Sequence, residues 1–217
     1  MLDKTNVVII DYGMGNLFNL QKVITYLGGR SIIVTDPHEL TSSNRVILPG
    51  VGAFADGIAR LRETGMENAI KDFITSGKPL LGICLGMQLL MDESLEGGLN
   101  RGLGVVHGRV LRFHEAVKGE KNFKIPHIGW NTLKMPGQIT SWSNTLLSGI
   151  NKEDQVYFVH SYTVCPDDKE IVLAETYYGK QNFCSVLHKD NIDACQFHPE
   201  VSGPVGLNIL KRFIFNR

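Results

Sequence analysis

The first hundred residues alternate short β-branched apolar runs with helical stretches, and that alternation leaves few architectures open. Residues 6–11 (NVVIID) are too short for a helix and read as a buried strand. Asn16 stands where a helix cap belongs. Leu17, Leu20, Val23, Ile24 and Leu27 then share one helical face, and Gly28-Gly29 ends it. Residues 31–35 and 46–50 read as two more strands, the latter stopped by Pro49. From about 53 to 76 an amphipathic pattern predicts helix, broken at Gly65 and ended by Gly77. Residues 78–84 (KPLLGIC) predict another buried strand, and 84–94 (CLGMQLLMDES) a further helix. Strands alternating with helices predict a parallel sheet with helices on both faces.

The second half changes character. Residues 105–113, 127–133, 155–164, 171–178, 183–190 and 191–197 are short β-like runs with turn signals between them. They predict an antiparallel or mixed extension of the same sheet. A last helix is expected from about 204 to 215, and the polar stretch 114–124 reads as an exposed loop. There is no Pro/Ser-rich linker and no repeat. The expectation is one α/β domain over 1–217, with a single mixed, mostly parallel sheet and helices on both faces.

Composition excludes several functions. Lys+Arg and Asp+Glu number 22 each, so no basic excess points to nucleic acid. No apolar run approaches the roughly 18 residues of a membrane span. The N-terminus reads as a first strand and not as a signal peptide. The four cysteines form no C-x-x-C pair, so neither a zinc site nor a disulfide framework is expected, and reduced thiols suit a cytosolic chain.

One of those cysteines is unlike the others. Gly82-Ile83-Cys84-Leu85-Gly86 falls where a buried strand turns into a helix. That is the elbow used by serine hydrolases, here carrying a thiol. A sharp turn forces an unfavourable backbone at the nucleophile, and flanking glycines avoid clashes there. The helix that follows would aim its amides at the sulfur, favouring a thiolate and a developing oxyanion. Taken alone, the motif is read equally well as a small cysteine buried at a strand end.

A thiol nucleophile needs a histidine, and the histidine needs an orienting group. Seven histidines are present. His198, in Gln196-Phe197-His198-Pro199-Glu200, has a carboxylate two residues on, and residues two apart in an extended segment project to the same side. Pro199 stiffens the pair. His160 and His127 are rivals for the base, while His38, His107, His114 and His188 read as surface or structural.

These motifs carry a resemblance. Cys84 in GICLGMQLL and the late QFHPE resemble the class I (triad) glutamine amidotransferase family, which is flavodoxin-like in fold. IIDYGMGNL, LPGVGAF, PHIGWN, YFVHSY, DNIDACQFHPE and SGPVGLNIL follow in order from residue 9 to about 214. They are similar to the branch of that family that feeds ammonia to a (β/α)8-barrel cyclase. The resemblance implies that Cys84 attacks the side-chain amide of L-glutamine, with His198 as base and acid and Glu200 behind it. It implies an oxyanion hole from Leu85 and the loop Gly50-Val51-Gly52, a loop that rearranges in relatives when the partner's substrate binds. It implies a glutamine site of Gly52, Gln88, Glu96, His160, Ser161 and Tyr162, where Glu96 would pair with the ligand's ammonium group. No cofactor or metal is implied.

The implied partner is the cyclase subunit of a heterodimer with an ammonia channel, making imidazole glycerol phosphate and AICAR in histidine biosynthesis. Relatives usually continue His-Pro-Glu with Lys-Ser, the lysine lying at the cyclase interface, whereas Val201 stands here. A runner-up is therefore a paralogous glutaminase feeding a sugar-amidating synthetase in surface polysaccharide synthesis. A cysteine hydrolase of peptides or esters, and a non-catalytic subunit, are the readings from other classes.

Overall fold

The computed structural model describes residues 6–41, 43–113 and 124–215. Thirteen strands and five α-helices occur among them. The first half runs β1 (Asn6–Ile10), α1 (Leu17–Tyr26), β2 (Arg30–Val34), β3 (Val46–Leu48), α2 (Phe54–Glu63), α3 (Met66–Thr75), β4 (Leu80–Ile83) and α4 (Leu85–Leu89). Then come β5 (Met91–Ser94), β6 (Asn100–Arg101), β7 (Val106–Arg112), β8 (His127–Thr132), β9 (Gln155–His160) and β10 (Tyr162–Pro166). The chain closes with β11 (Val172–Tyr178), β12 (Gln181–Lys189), β13 (Ile192–Cys195) and α5 (Gly203–Phe215).

The main sheet has seven strands in the order β11-β12-β13-β4-β3-β1-β2. From β13 to β2 all neighbours are parallel, while β12 and β11 add on antiparallel. Successive side chains of a strand face opposite sides, so the sheet divides two cores. Val8, Ile10, Leu48 and Leu80 pack with α2 and α3 through Phe54, Ile58, Leu61 and Ile70. Val7, Ile9, Ile47, Leu81 and Ile83 pack with α1 and α5 through Leu20, Ile24, Ile209, Leu210 and Phe213. Helices therefore cover both faces, as expected.

Local signals in the first half act as read. Asn16 caps α1 by accepting from the Asn19 amide at 3.4 Å. Gly65, at φ +75°, separates α2 from α3.

Two expectations are corrected. The run 84–94 is not one helix: α4 ends at Leu89 and the chain re-extends as β5. Every residue from 85 to 91 is buried, so no polar face marks a helical period, and pairing of β5 with β6 and β7 decides the backbone. The second half does not extend one sheet throughout. Only β11, β12 and β13 join the main sheet. Strands β10-β7-β5-β6 form a second sheet and β8-β9 a third. The 114–124 stretch, apart from Lys124, and His114 lie outside the described residues. No helix among the described residues is long and apolar enough to cross a membrane.

Candidate active site

The site forms at the C-terminal ends of β3, β4 and β13, where neighbouring parallel strands deliver loops to one edge of the sheet. Cys84 follows β4 with φ +52° and ψ −108°, a left-handed backbone that strains an L-residue. Its amide donates to the Cys195 carbonyl at 2.8 Å, fixing the turn to β13. The flanking glycines are steric necessities. A Cβ on Gly86 would overlap the Leu48 carbonyl, and one on Gly82 would lie 3.1 Å from the Met87 amide nitrogen. The helix beyond is only five residues long, so the long dipole expected from the sequence is reduced to its first amides.

β13 carries the chain to His198, which is buried. The His198 amide donates to the Tyr157 carbonyl at 3.0 Å, and its carbonyl accepts from Ser202 Oγ at 2.7 Å. Its Nδ1 lies 2.9 Å from Glu200 Oε1, with both side chains less than a tenth exposed. The pairing was expected, but the backbone route differs. His198 is extended, whereas Pro199–Val201 form a 3-10 turn, and that turn brings the carboxylate back to the ring. Nε2 is buried with no well-formed hydrogen bond among the described residues. Burial opposes a charge on this ring and is the largest single influence. The Cys84 thiol and the Glu200 carboxylate together outweigh it and raise the imidazole to about 10.

The rival histidines are committed elsewhere. His160 Nδ1 lies 2.8 Å from the Tyr162 carbonyl, which can only accept, so this nitrogen carries the proton. His160 Nε2 must then accept from His127 Nδ1, 3.2 Å away. Burial lowers His160 to about 3 and His127 to about 4, and His127 is stacked on Tyr178 with centroids 3.9 Å apart. His107 sits with Asp92 on the exposed side of β7, as a surface residue should.

A cavity of about 280 Å³ opens over Cys84. Its wall includes all six residues expected to hold glutamine: Gly52, Gln88, Glu96, His160, Ser161 and Tyr162, together with Val51 and Leu85. That is just below the roughly 300–1,000 Å³ of drug-sized pockets and suits an amino acid. Gly50, His198 and Glu200 are not part of the wall. Glu96 Oε2 already accepts from the Phe54 amide at 2.8 Å, capping α2, so this carboxylate is held in place by a helix end. Gly50 approaches so closely that a Cβ there would overlap the Tyr12 hydroxyl, which donates to the Pro49 carbonyl at 2.9 Å. The Leu85 amide, expected as an oxyanion donor, donates instead to the Gly50 carbonyl at 3.3 Å.

One central residue was not singled out from the sequence. Gln196 is fully buried, and its Nε2 lies 3.6 Å from Cys84 Sγ. Its position two residues before His198 in an extended run was the available signal, since it places both side chains on one side.

Fold and site together define a class: an α/β enzyme built around an elbow cysteine at the floor of an amino-acid-sized cavity. Residues 8–217 match the family model for glutamine amidotransferase class-I, and the chain belongs to that family. It is 46% identical to the imidazole glycerol phosphate synthase subunit HisH of Geobacillus thermodenitrificans, over 97% of this chain and 95% of the relative. It is 45% identical to HisH of Geobacter sulfurreducens, over 96% and 98% of the two chains, and 42% identical to HisH 1 of Legionella pneumophila, over 97% and 99%. Among solved structures, a glutamine amidotransferase matches with TM-score 0.70 at 19% identity, covering 97% of this chain and 99% of that one. A second, from Thermotoga maritima, gives 0.67 at 15%, covering 98% and 99%. At such identities the structural likeness concerns the fold.

Proposed function

We propose that the chain, acting as one domain over residues 1–217, is the glutamine-hydrolysing subunit of an imidazole glycerol phosphate synthase. Cys84 attacks the side-chain amide carbon of L-glutamine. His198 gives a proton to the departing ammonia, a γ-glutamyl thioester remains, and water activated by the same histidine releases glutamate. Glu200 holds the ring and favours its charged form. The observation that carries this reading is the placement of a strained elbow cysteine on the cavity floor with the His198–Glu200 pair acting on it. Gln88, Glu96 and the His160–Tyr162 segment supply polar groups for the amino-acid end of the ligand.

The ammonia goes to a cyclase subunit in a cytoplasmic heterodimer, serving histidine biosynthesis. The three relatives quoted above, covered nearly end to end, favour this recipient over a sugar-amidating synthetase. Val201 is half-exposed on the 3-10 turn beside the triad, in place of the usual lysine. The partner is therefore met there by an apolar contact and not by a charge.

The bond from Leu85 to the Gly50 carbonyl bears on control. An amide engaged in this way must be released before it can stabilise an oxyanion. Glutaminase activity is therefore low in the isolated chain. The test is a glutaminase assay with and without a purified cyclase and its nucleotide ligand. Stimulation supports the assignment. An isolated chain as fast as the complex, or a cyclase without effect, overturns it.

A further inference from the structure

A chain of buried hydrogen bonds runs from the glutamine-binding wall to the nucleophile, and its donor directions can be worked out. The Tyr162 carbonyl can only accept. Gln88 Nε2 lies 3.1 Å from it, so the Gln88 side chain presents its NH₂ group there. The second proton of that NH₂ points to Gln196, whose facing atom, 3.0 Å away, must be the carbonyl oxygen Oε1. A flipped Gln196 would set two NH₂ groups against each other. The NH₂ of Gln196 is therefore turned toward Cys84 Sγ, at 3.6 Å. The orientation follows from the network and not from the shape of the amide, whose two ends are nearly alike. The Gln196 backbone is fixed as well, its amide donating to the Ser185 carbonyl at 2.9 Å.

We propose that Gln196 is a positioning residue for the glutaminase reaction: its side-chain amide donates to Cys84 Sγ and couples the nucleophile to Gln88 on the wall of the cavity. The inference rests on the reading of Cys84 as the nucleophile. A hydrogen bond to sulfur is stronger when the sulfur is charged, so this donor favours the thiolate over the thiol. It also restrains the sulfur from a residue that is not itself part of the cavity wall. Because Gln88 sets the direction of Gln196, a ligand that engages Gln88 acts on the sulfur through two hydrogen bonds.

The test uses Gln196→Met, which keeps volume and removes the donor. Alkylation of Cys84 by iodoacetamide, followed on its own peptide by mass spectrometry against pH, reads thiolate formation without needing glutamine hydrolysis. The expected result is an alkylation profile displaced to higher pH than that of the wild type, because the lost donor favoured the charged sulfur. The acid limb of kcat/KM for glutamine, measured with the partner present, moves with it. A role in packing alone would lower melting temperature and leave both profiles in place, and that outcome overturns the proposal. If Gln196→Met does not fold, Gln88→Met carries the test: freeing Gln196 to turn moves the alkylation profile the same way by a smaller step, and an unmoved profile overturns the idea. Failure of the wild-type chain to hydrolyse glutamine would count against the assigned reaction and not against this hydrogen bond, which the alkylation profile reads independently.

Discussion

The Cys84 amide donates to the Cys195 carbonyl across 2.8 Å, so the elbow is bolted to the strand that delivers His198 three residues later. Parallel pairing of β4 with β13, with Cys195 opposite Ile83, makes the spacing of cysteine and histidine a property of sheet register. Loss of either side chain should therefore remove chemistry without moving the other.

Cys84→Ala is expected to abolish glutamine hydrolysis while melting within a few degrees of the wild type, because the backbone bond to Cys195 stays. A diazo-oxo norleucine electrophile should label Cys84 alone. Cys195 is fully buried and Cys184 is buried but outside the cavity wall, and burial pushes both thiols upward, as it does that of half-buried Cys165. Label on any of these three instead of Cys84, or residual turnover in the variant, would refute the assignment.

His198→Ala should reduce kcat by at least about 10²-fold, the lower end of general acid–base contributions. Glu200→Gln should do less and do it differently. The carboxylate helps hold the imidazole at about 10, so its neutralisation lowers that value and moves the alkaline limb of the pH–rate profile to lower pH. A limb that does not move would mean that Glu200 only fills space.

Gly86→Ala should be poorly tolerated, since its Cβ would overlap the Leu48 carbonyl. Backbone that cannot yield makes the upper part of the ~1–3 kcal/mol overpacking range the expectation. Gly137→Ala is the control: nothing lies within 4 Å of its Cβ, and stability should rise or stay within about 1 kcal/mol. Urea midpoints of the two variants measure the contrast.

Acid should destabilise the fold through the buried histidine pair. His160 is lowered to about 3 against an unfolded value of about 6.5. Its contribution is complete above pH 6.5 and is lost as pH falls toward 3, because the unfolded chain takes up the proton first. By pH 5 this amounts to about 2 kcal/mol. His160→Asn keeps a donor for the Tyr162 carbonyl but does not titrate. It should be less stable at pH 7 and show a flatter fall to pH 5. An equal fall in both proteins would contradict the account.

The sequence was most informative where chemistry is local. Asn16, Gly65 and Gly82 each act through residues close by in the chain, and each did what its residue type implies. It misled where partners are distant. Residues 85–91 are buried on every side, so hydrophobic period could not distinguish α4 from β5. Tyr162 pairs with Arg112 and His127 with His160, choices made by tertiary packing that a period of two does not specify. The cavity wall was legible through the family resemblance. Gln196 was not, because its meaning lies in a contact 112 residues away.

The Leu85–Gly50 bond also sets an energy scale. At 3.3 Å it is long for an N–H to carbonyl pair, so its net worth lies toward the low end of the roughly 0.5–1.5 kcal/mol usual for such bonds. Reversing an equilibrium from 1:99 to 99:1 takes about 5.5 kcal/mol of differential affinity. A partner that binds the released loop better by only a fraction of that amount changes turnover several-fold. On the proposed role of this bond, its release costs little, so glutaminase activity should rise several-fold and in proportion to partner occupancy, not by orders of magnitude.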